Sequence, residues 1–324
     1  MIRIPFLRCV SIAAALALAA VPARAQDTAA AARDTAHRHG FHLPGPAADT
    51  AAEPPASHHA LNLTAGGVGL SIGNSRRVTG VRINLVDHQV ERVNGLNLTL
   101  WLPKKNPDLV VTGAAVGLVG PRARRIDGIA LGGVGVLAEE VNGIGAAGLA
   151  MVARDRLRGI GVGGLATVGD HGIDGIATAG LVTLSEGGVN GLTTAGLATI
   201  TEGRLTGIAA SPVFAYVDGE TRGIVAGGLL TRTKGIAQGI TVAGGALFAD
   251  TLVGVNAAGL YSRSGEMRGI SVAGVNDVRG MQRGISIGIF NYARTIRGVQ
   301  IGVLNYVRSN PKGLRLLPVF NTKF

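Results

Sequence analysis

The sequence predicts an all-β chain wound as a β-solenoid of about 16 coils of 14–16 residues, and three observations carry that prediction. One phrase returns along most of the length, most plainly as GISIGIFNY at residues 284–292 and GVQIGVLNY at residues 298–306. Within each copy, apolar residues alternate with others at period two, as Ile285, Ile287 and Ile289 do with Ser286, Gly288 and Phe290, which is the pattern of a strand with one buried face. Finally, 51 glycines, two to four per copy, argue against a helical reading of Ala-rich stretches such as residues 175–184 (GIATAGLVTL), since each costs roughly 1 kcal/mol in a helix interior.

Taken in order, the chain opens with a stretch that reads as a secretory signal peptide over residues 1–25: basic Arg3 and Arg8, an apolar run at 12–21, and an Ala23-Arg24-Ala25 cleavage site. The one cysteine, Cys9, falls inside it, so the mature chain is expected to hold no thiol and hence no disulfide or thiol catalysis. Loss of Arg3, Arg8 and Arg24 takes the formal charge from +11 to +8, with 28 basic against 20 acidic residues. That sign is compatible with anionic lipid headgroups or cell-surface polysaccharide, and no nucleic-acid partner is expected.

Residues 26–60 are rich in Ala, Asp, Thr, Pro and His without aliphatic periodicity, and read as a disordered tether. Five of the seven histidines lie there (His37, His39, His42, His58, His59), but without carboxylates or cysteines at ligand spacing they read as a soluble linker and no metal is assigned. Residues 61–76 look like an N-terminal cap or degenerate repeat, and 77–324 form the repeat domain. Its copies open at Gly80, Gly95, Gly113, Gly128, Gly143, Gly159, Gly175, Gly191, Gly207, Gly223, Gly239, Gly254, Gly269, Gly284, Gly298 and Gly313, at spacings of 14 to 16 with one of 18.

The alternative for such a period is an up-and-down outer-membrane β-barrel, favoured by export, an even copy number and a terminal Phe324. Twelve aromatic residues are too few for two girdles, turn lengths do not alternate, and the motif recurs in every copy and not every second one. Parallel coils stacked at about 4.8 Å suit these facts better, and 16 of them predict a rod near 75 Å long. In so thin a coil the expected core is the Ile, Leu or Val directly after each opening Gly and the residue two further on.

The final copies, with GISIGIFNY, GVQIGVLNY and the closing Leu316-Leu317-Pro318-Val319-Phe320-Asn321, resemble a bacterial exported surface-repeat family built of tandem G-[ILV]-x-[IV]-G-[ILV]-x-N units after a signal sequence. The likeness is close over residues 269–324 and looser over 77–268, where the second Gly often stands one place later, as in Gly175 and Gly180, and the Asn is replaced. It implies export to the cell surface, outer membrane or periplasm and a repeat architecture; it implies no activity, cofactor or catalytic residue.

Several motifs have chemical meanings elsewhere. Residues 159–164 (GIGVGG) satisfy the dinucleotide pattern G-x-G-x-x-G, yet no helix follows and the same glycines recur in copy after copy. Residues 284–288 (GISIG) satisfy G-x-S-x-G, but the next copy has Gln300 in place of Ser286, and a flat strand builds no nucleophile elbow. His88 and His171 lack partners of a catalytic kind, and the acids Glu139, Glu140, Asp218 and Glu220 fall at copy ends and read as solvated turn charges. Thr167, Thr183 and Thr199 recur every 16 residues until Ala215 interrupts them, as ordinary strand chemistry allows.

One column is not random. The residue before the opening Gly turns basic toward the C-terminus, as Arg268, Arg283, Arg297 and Lys312, which parallel coils would stack into a cationic stripe. The expected function is therefore that of a non-enzymatic exported scaffold without a cofactor. In it Arg268, Arg283, Arg297 and Lys312 contact an anionic lipid or glycan, or serve only as a solubilising edge. A pore-forming membrane barrel and a polysaccharide-acting β-helix enzyme are the competing classes.

Overall fold

The computed structural model describes residues 60–65, 68–101, 103 and 106–323. The expected export segment, residues 26–59 of the expected tether with its five histidines, and Phe324 lie outside the described residues. What is described is a β-solenoid and not a barrel: consecutive coils pair parallel, in register, along one stack that does not close on itself. No α-helix occurs among the described residues, and no helix is long and apolar enough to cross a membrane.

Each coil has two strand arms. The arm that carries the opening glycine is represented by Ile173–Ala179, which pairs with the arm of the previous coil on one side and with Val189–Ala195 on the other. The second arm, such as Val182–Ser185, is paired in the same way with its neighbours. Glycine meets glycine at every step: Gly143 pairs with Gly159, Gly159 with Gly175, Gly175 with Gly191 and Gly191 with Gly207. The ladder needs glycine for two reasons. Gly191 sits at φ +137°, a conformation that side chains of L-residues rarely adopt, and a Cβ on it would overlap the carbonyl oxygen of Gly175. The opening Gly therefore marks a bend in the arm where successive backbones nearly touch.

Fifteen of the sixteen expected opening glycines, Gly80 to Gly298, share this positive φ. Gly313 does not. It lies in a short 3-10 turn, Lys312–Leu314, with nothing near its missing side chain. The chain then reverses, and the last strand, Leu316–Thr322, runs antiparallel to residues 299–306. The opposite end is finished likewise: Ala60–Ala65 and Val68–Gly73 form an antiparallel hairpin whose second strand pairs parallel with Arg77–Asn84, Gly69 against Gly80.

The period-two reading holds, but the face assigned to the core is the wrong one. The residue directly after the opening Gly points outward: Ile129, Ile144 and Ile176 are 43%, 45% and 41% exposed. The core comes from the residue two places before the Gly (Ile126, Val141, Leu157, Ile173, Leu205) and from small residues two places after it (Ala130, Ala177, Ala209). Alternation defines two faces without saying which is inward, and a shift of one residue exchanges them. A thin coil cannot hold large aliphatics from both arms, so its interior takes one bulky row and otherwise Ala, Thr, Ser and Asn.

The polar interior residues are mostly paired, as burial demands. Thr167, Thr183 and Thr231 donate to the carbonyls of Thr178, Thr194 and Val242 at 2.7–2.8 Å. Near the N-terminal end Arg82 is fully buried and pairs with Asp87, which also accepts from Asn97 and Thr99 at 3.0 and 2.7 Å. Such a buried ion pair holds only because nearly every lone pair of the carboxylate is engaged.

Candidate anionic-ligand surface

The last coils differ from the rest in charge. Residues 262–324 contain ten of the 31 basic residues but only two of the 20 acidic ones, Glu266 and Asp277. Strand register turns that bias into columns. Because Gly269, Gly284 and Gly298 continue the glycine ladder, the preceding Arg268, Arg283 and Arg297 stand in one exposed row, as the sequence suggests. Lys312 does not join them: it belongs to the 3-10 turn after the last coil, where the chain has left the strand path.

A second basic row, missed by the sequence reading, lies on the other arm. Asn276, Asn291 and Asn305 are stacked in the interior, each amide of the first two donating at 2.8 Å to the carbonyl oxygen of the next side chain. Three residues beyond each Asn stands an exposed arginine: Arg279, Arg294 and Arg308. The signal was legible as the recurring N-[DY]-x-R phrase at residues 276–279, 291–294 and 305–308. On each coil the two rows are close along the chain, Arg279 to Arg283 and Arg294 to Arg297, with the buried Gln282 and Ile296 between them.

Few of these cations are neutralised. Arg268 bonds Glu266 at 3.1 Å, while Arg263 and Arg279 share Asp277 at 3.8 and 3.3 Å. Arg283 rests its Nε against the Met281 sulfur at 3.0 Å. Arg294, Arg297 and Arg308 make no ion pair among the described residues. Coils about 4.8 Å apart hold these like charges near one another, which is unfavourable unless an anion or water screens them.

Aromatic rings border the second row. Tyr292 and Tyr306 stack with centroids 5.5 Å apart and planes 6° from parallel, and Phe248 meets Tyr261 at 5.8 Å. Tyr261 donates to Asp277 at 2.8 Å; burial and that carboxylate push its hydroxyl above the usual tyrosine range, so it stays a neutral donor at neutral pH. Tyr261, Tyr292, Arg279, Arg294 and Arg308 surround a shallow groove of about 750 Å³. A guanidinium row beside ring faces is suited to an anion carried on a flat or extended frame, since arginine offers paired donors and the rings offer apolar contact.

The remaining motifs land where they cannot do their usual chemistry. Ser286 is fully buried inside the coil, residues 159–163 of GIGVGG belong to the strand Ala150–Gly163, and Thr167, Thr183 and Thr199 point inward. His171 is exposed, with Nδ1 3.0 Å from the Arg154 carbonyl and 3.8 Å from Asp155. Among the described residues no group of three or more His, Cys, Asp or Glu converges to hold a metal ion. No protein-family model, curated protein or solved structure matches the chain.

Proposed function

We propose that this chain is an exported, non-enzymatic repeat scaffold of the bacterial surface, outer membrane or periplasm whose C-terminal coils bind an anionic surface. The observation that carries this reading is that Arg294 and Arg308, in the row beside the Tyr292–Tyr306 pair, and Arg297, in the neighbouring row, make no ion pair among the described residues. A rigid ladder repeats one donor at each coil, so a ligand with regularly spaced negative charge meets several arginines without ordering the protein further. Lipid headgroup phosphates and acidic glycans share that chemistry. The signal-like N-terminus and the resemblance of the last copies to exported surface repeats support the location.

The test is co-sedimentation of the full chain with phosphatidylglycerol vesicles and, separately, retention on an immobilised acidic polysaccharide. Binding to one of them should weaken about tenfold or more in the triple variant R294Q/R297Q/R308Q and fall steeply with salt. Equal binding by the variant, or no binding of the native chain to either ligand, rejects the proposal.

A further inference from the structure

The arm that carries the glycine ladder presents an outer wall of a different kind. Its first column, the residue after each Gly, reads Val81, Leu96, Ala114, Ile129, Ile144, Ile160, Ile176, Leu192, Ile208, Ile224, Ile240, Val255, Ile270, Ile285 and Val299, paired coil to coil. The column two residues on, from Ile83 to Ile301, contains only Ile, Leu, Val, Ala and Thr. At the following corner Leu149, Leu165, Leu181 and Leu197 stack, each 45–47% exposed. The first two columns carry no charged residue at any coil.

Fourteen steps of about 4.8 Å and three columns about 7 Å apart make this wall about 67 Å long and on the order of 1,000 Å² in area. Contiguous apolar patches on monomers are normally a few hundred Å², whereas a standard protein interface buries about 800 Å² on each partner. Its first two columns hold one register from coil to coil and carry only uncharged side chains, so a second copy can lie along them without rearrangement. We propose that it is the interface of a two-fold symmetric dimer, the wall of one copy packed on that of another with the two rods antiparallel.

The charges choose the direction. Parallel rods would bring both arginine-rich C-terminal ends together; antiparallel rods hold them tens of ångströms apart, beyond the Debye length of about 8 Å. They also choose the register. With the two-fold axis midway between Gly191 and Gly207, the column before the glycines sets Asp127 opposite the partner's Arg268 and Asp174 opposite the partner's Arg222. No like charges face each other in that column, whereas an axis on Gly191 itself would oppose Arg158 to Arg222. Burial of this wall leaves the Arg294 and Arg308 row, on the other arm, free.

Sedimentation velocity of the full chain at micromolar concentration should give a dimer. Ile176→Lys with Ile208→Lys places four charges at the centre of the interface, and should weaken self-association about 100-fold or more with an unchanged β-rich circular dichroism spectrum. Thr178→Lys, on the neighbouring column and already polar, should dissociate the dimer as well, which guards against a misfolded double variant. A spin label on Asn94→Cys in a Cys9→Ser background should report about 60 Å between copies. A monomeric native chain, a charged variant that folds and still dimerises, or a short label distance overturns the arrangement; a monomer that floats with neutral phosphatidylcholine vesicles assigns the wall to lipid instead.

Discussion

Between residues 143 and 239 the coils repeat every 16 residues and fill the inward column of the second arm with Thr167, Thr183, Thr199 and Thr231, apart from Met151 and Ala215. After residue 239 they repeat every 14 or 15, and by the last coils the same column holds Asn276, Asn291 and Asn305. Thr183 reaches the Thr194 carbonyl, eleven residues on, and Asn276 reaches that of Ile287, also eleven residues on. The two regions thus solve one problem, an orphan carbonyl on the next coil, with different side chains. The amide has a donor to spare, which it gives to the next amide, so the last coils are tied along the rod as well as across it.

If both regions rest on one glycine ladder, Gly191→Ala and Gly284→Ala should each cost more than about 4 kcal/mol, by strain at positive φ added to overlap with the preceding carbonyl. Gly313→Ala should stay within about 0.5 kcal/mol. Urea titrations followed by circular dichroism would measure all three, and a tolerated Gly284→Ala would separate the regions.

Asn291→Ala removes a residue bonded to neighbours on both sides and should cost about 2–3 kcal/mol, against about 1 kcal/mol for Thr183→Ala, which frees one carbonyl. Thr199 inverts the sign: its buried hydroxyl has no partner, so Thr199→Val should leave stability unchanged or raise it by up to about 1 kcal/mol. Equal losses for Thr183→Val and Thr199→Val would contradict this.

The smallest effect lies on the outside of the middle coils. Lys234 donates to Asp218 at 2.6 Å and lies over the Tyr216 ring, and these contacts raise its ammonium above the ordinary lysine range, Asp218 contributing most. A raised lysine stabilises the fold at neutral pH, and that contribution is lost as pH climbs through its folded-state value. Melting curves should show a shallow alkaline decline that Lys234→Met removes.

Much of this architecture was legible in the residues. The repeat length, the parallel stacking and the reason for Gly at each opening follow from spacing and composition, because a recurring Gly in a strand has few physical uses other than a close backbone approach. The inward face was not legible: Ile285 and Ser286 alternate equally well either way round, and only the room inside the coil decides that the serine is buried. Arg268, Arg283 and Arg297 were recoverable because each adjoins a marker Gly. Arg279, Arg294 and Arg308 adjoin no opening Gly; their marker is the Asn three residues earlier, and their distance from the glycine ladder shifts by one residue between coils, so a search keyed to the glycines passes over them. Lys312 and Gly313 imitate the motif after the strand path has ended, a distinction that spacing cannot make.

The reversed strands at the two ends of the described stack distinguish it from an open-ended filament. A solenoid cut off mid-coil would offer at each tip a rung identical in direction and register to its own interior, and further molecules could extend it as monomers extend a filament. Here Ala60–Ala65 and Leu316–Thr322 present the opposite polarity, so a further parallel rung does not meet either tip in the direction and register of the interior, and head-to-tail growth by the solenoid's own pairing is interrupted at both ends.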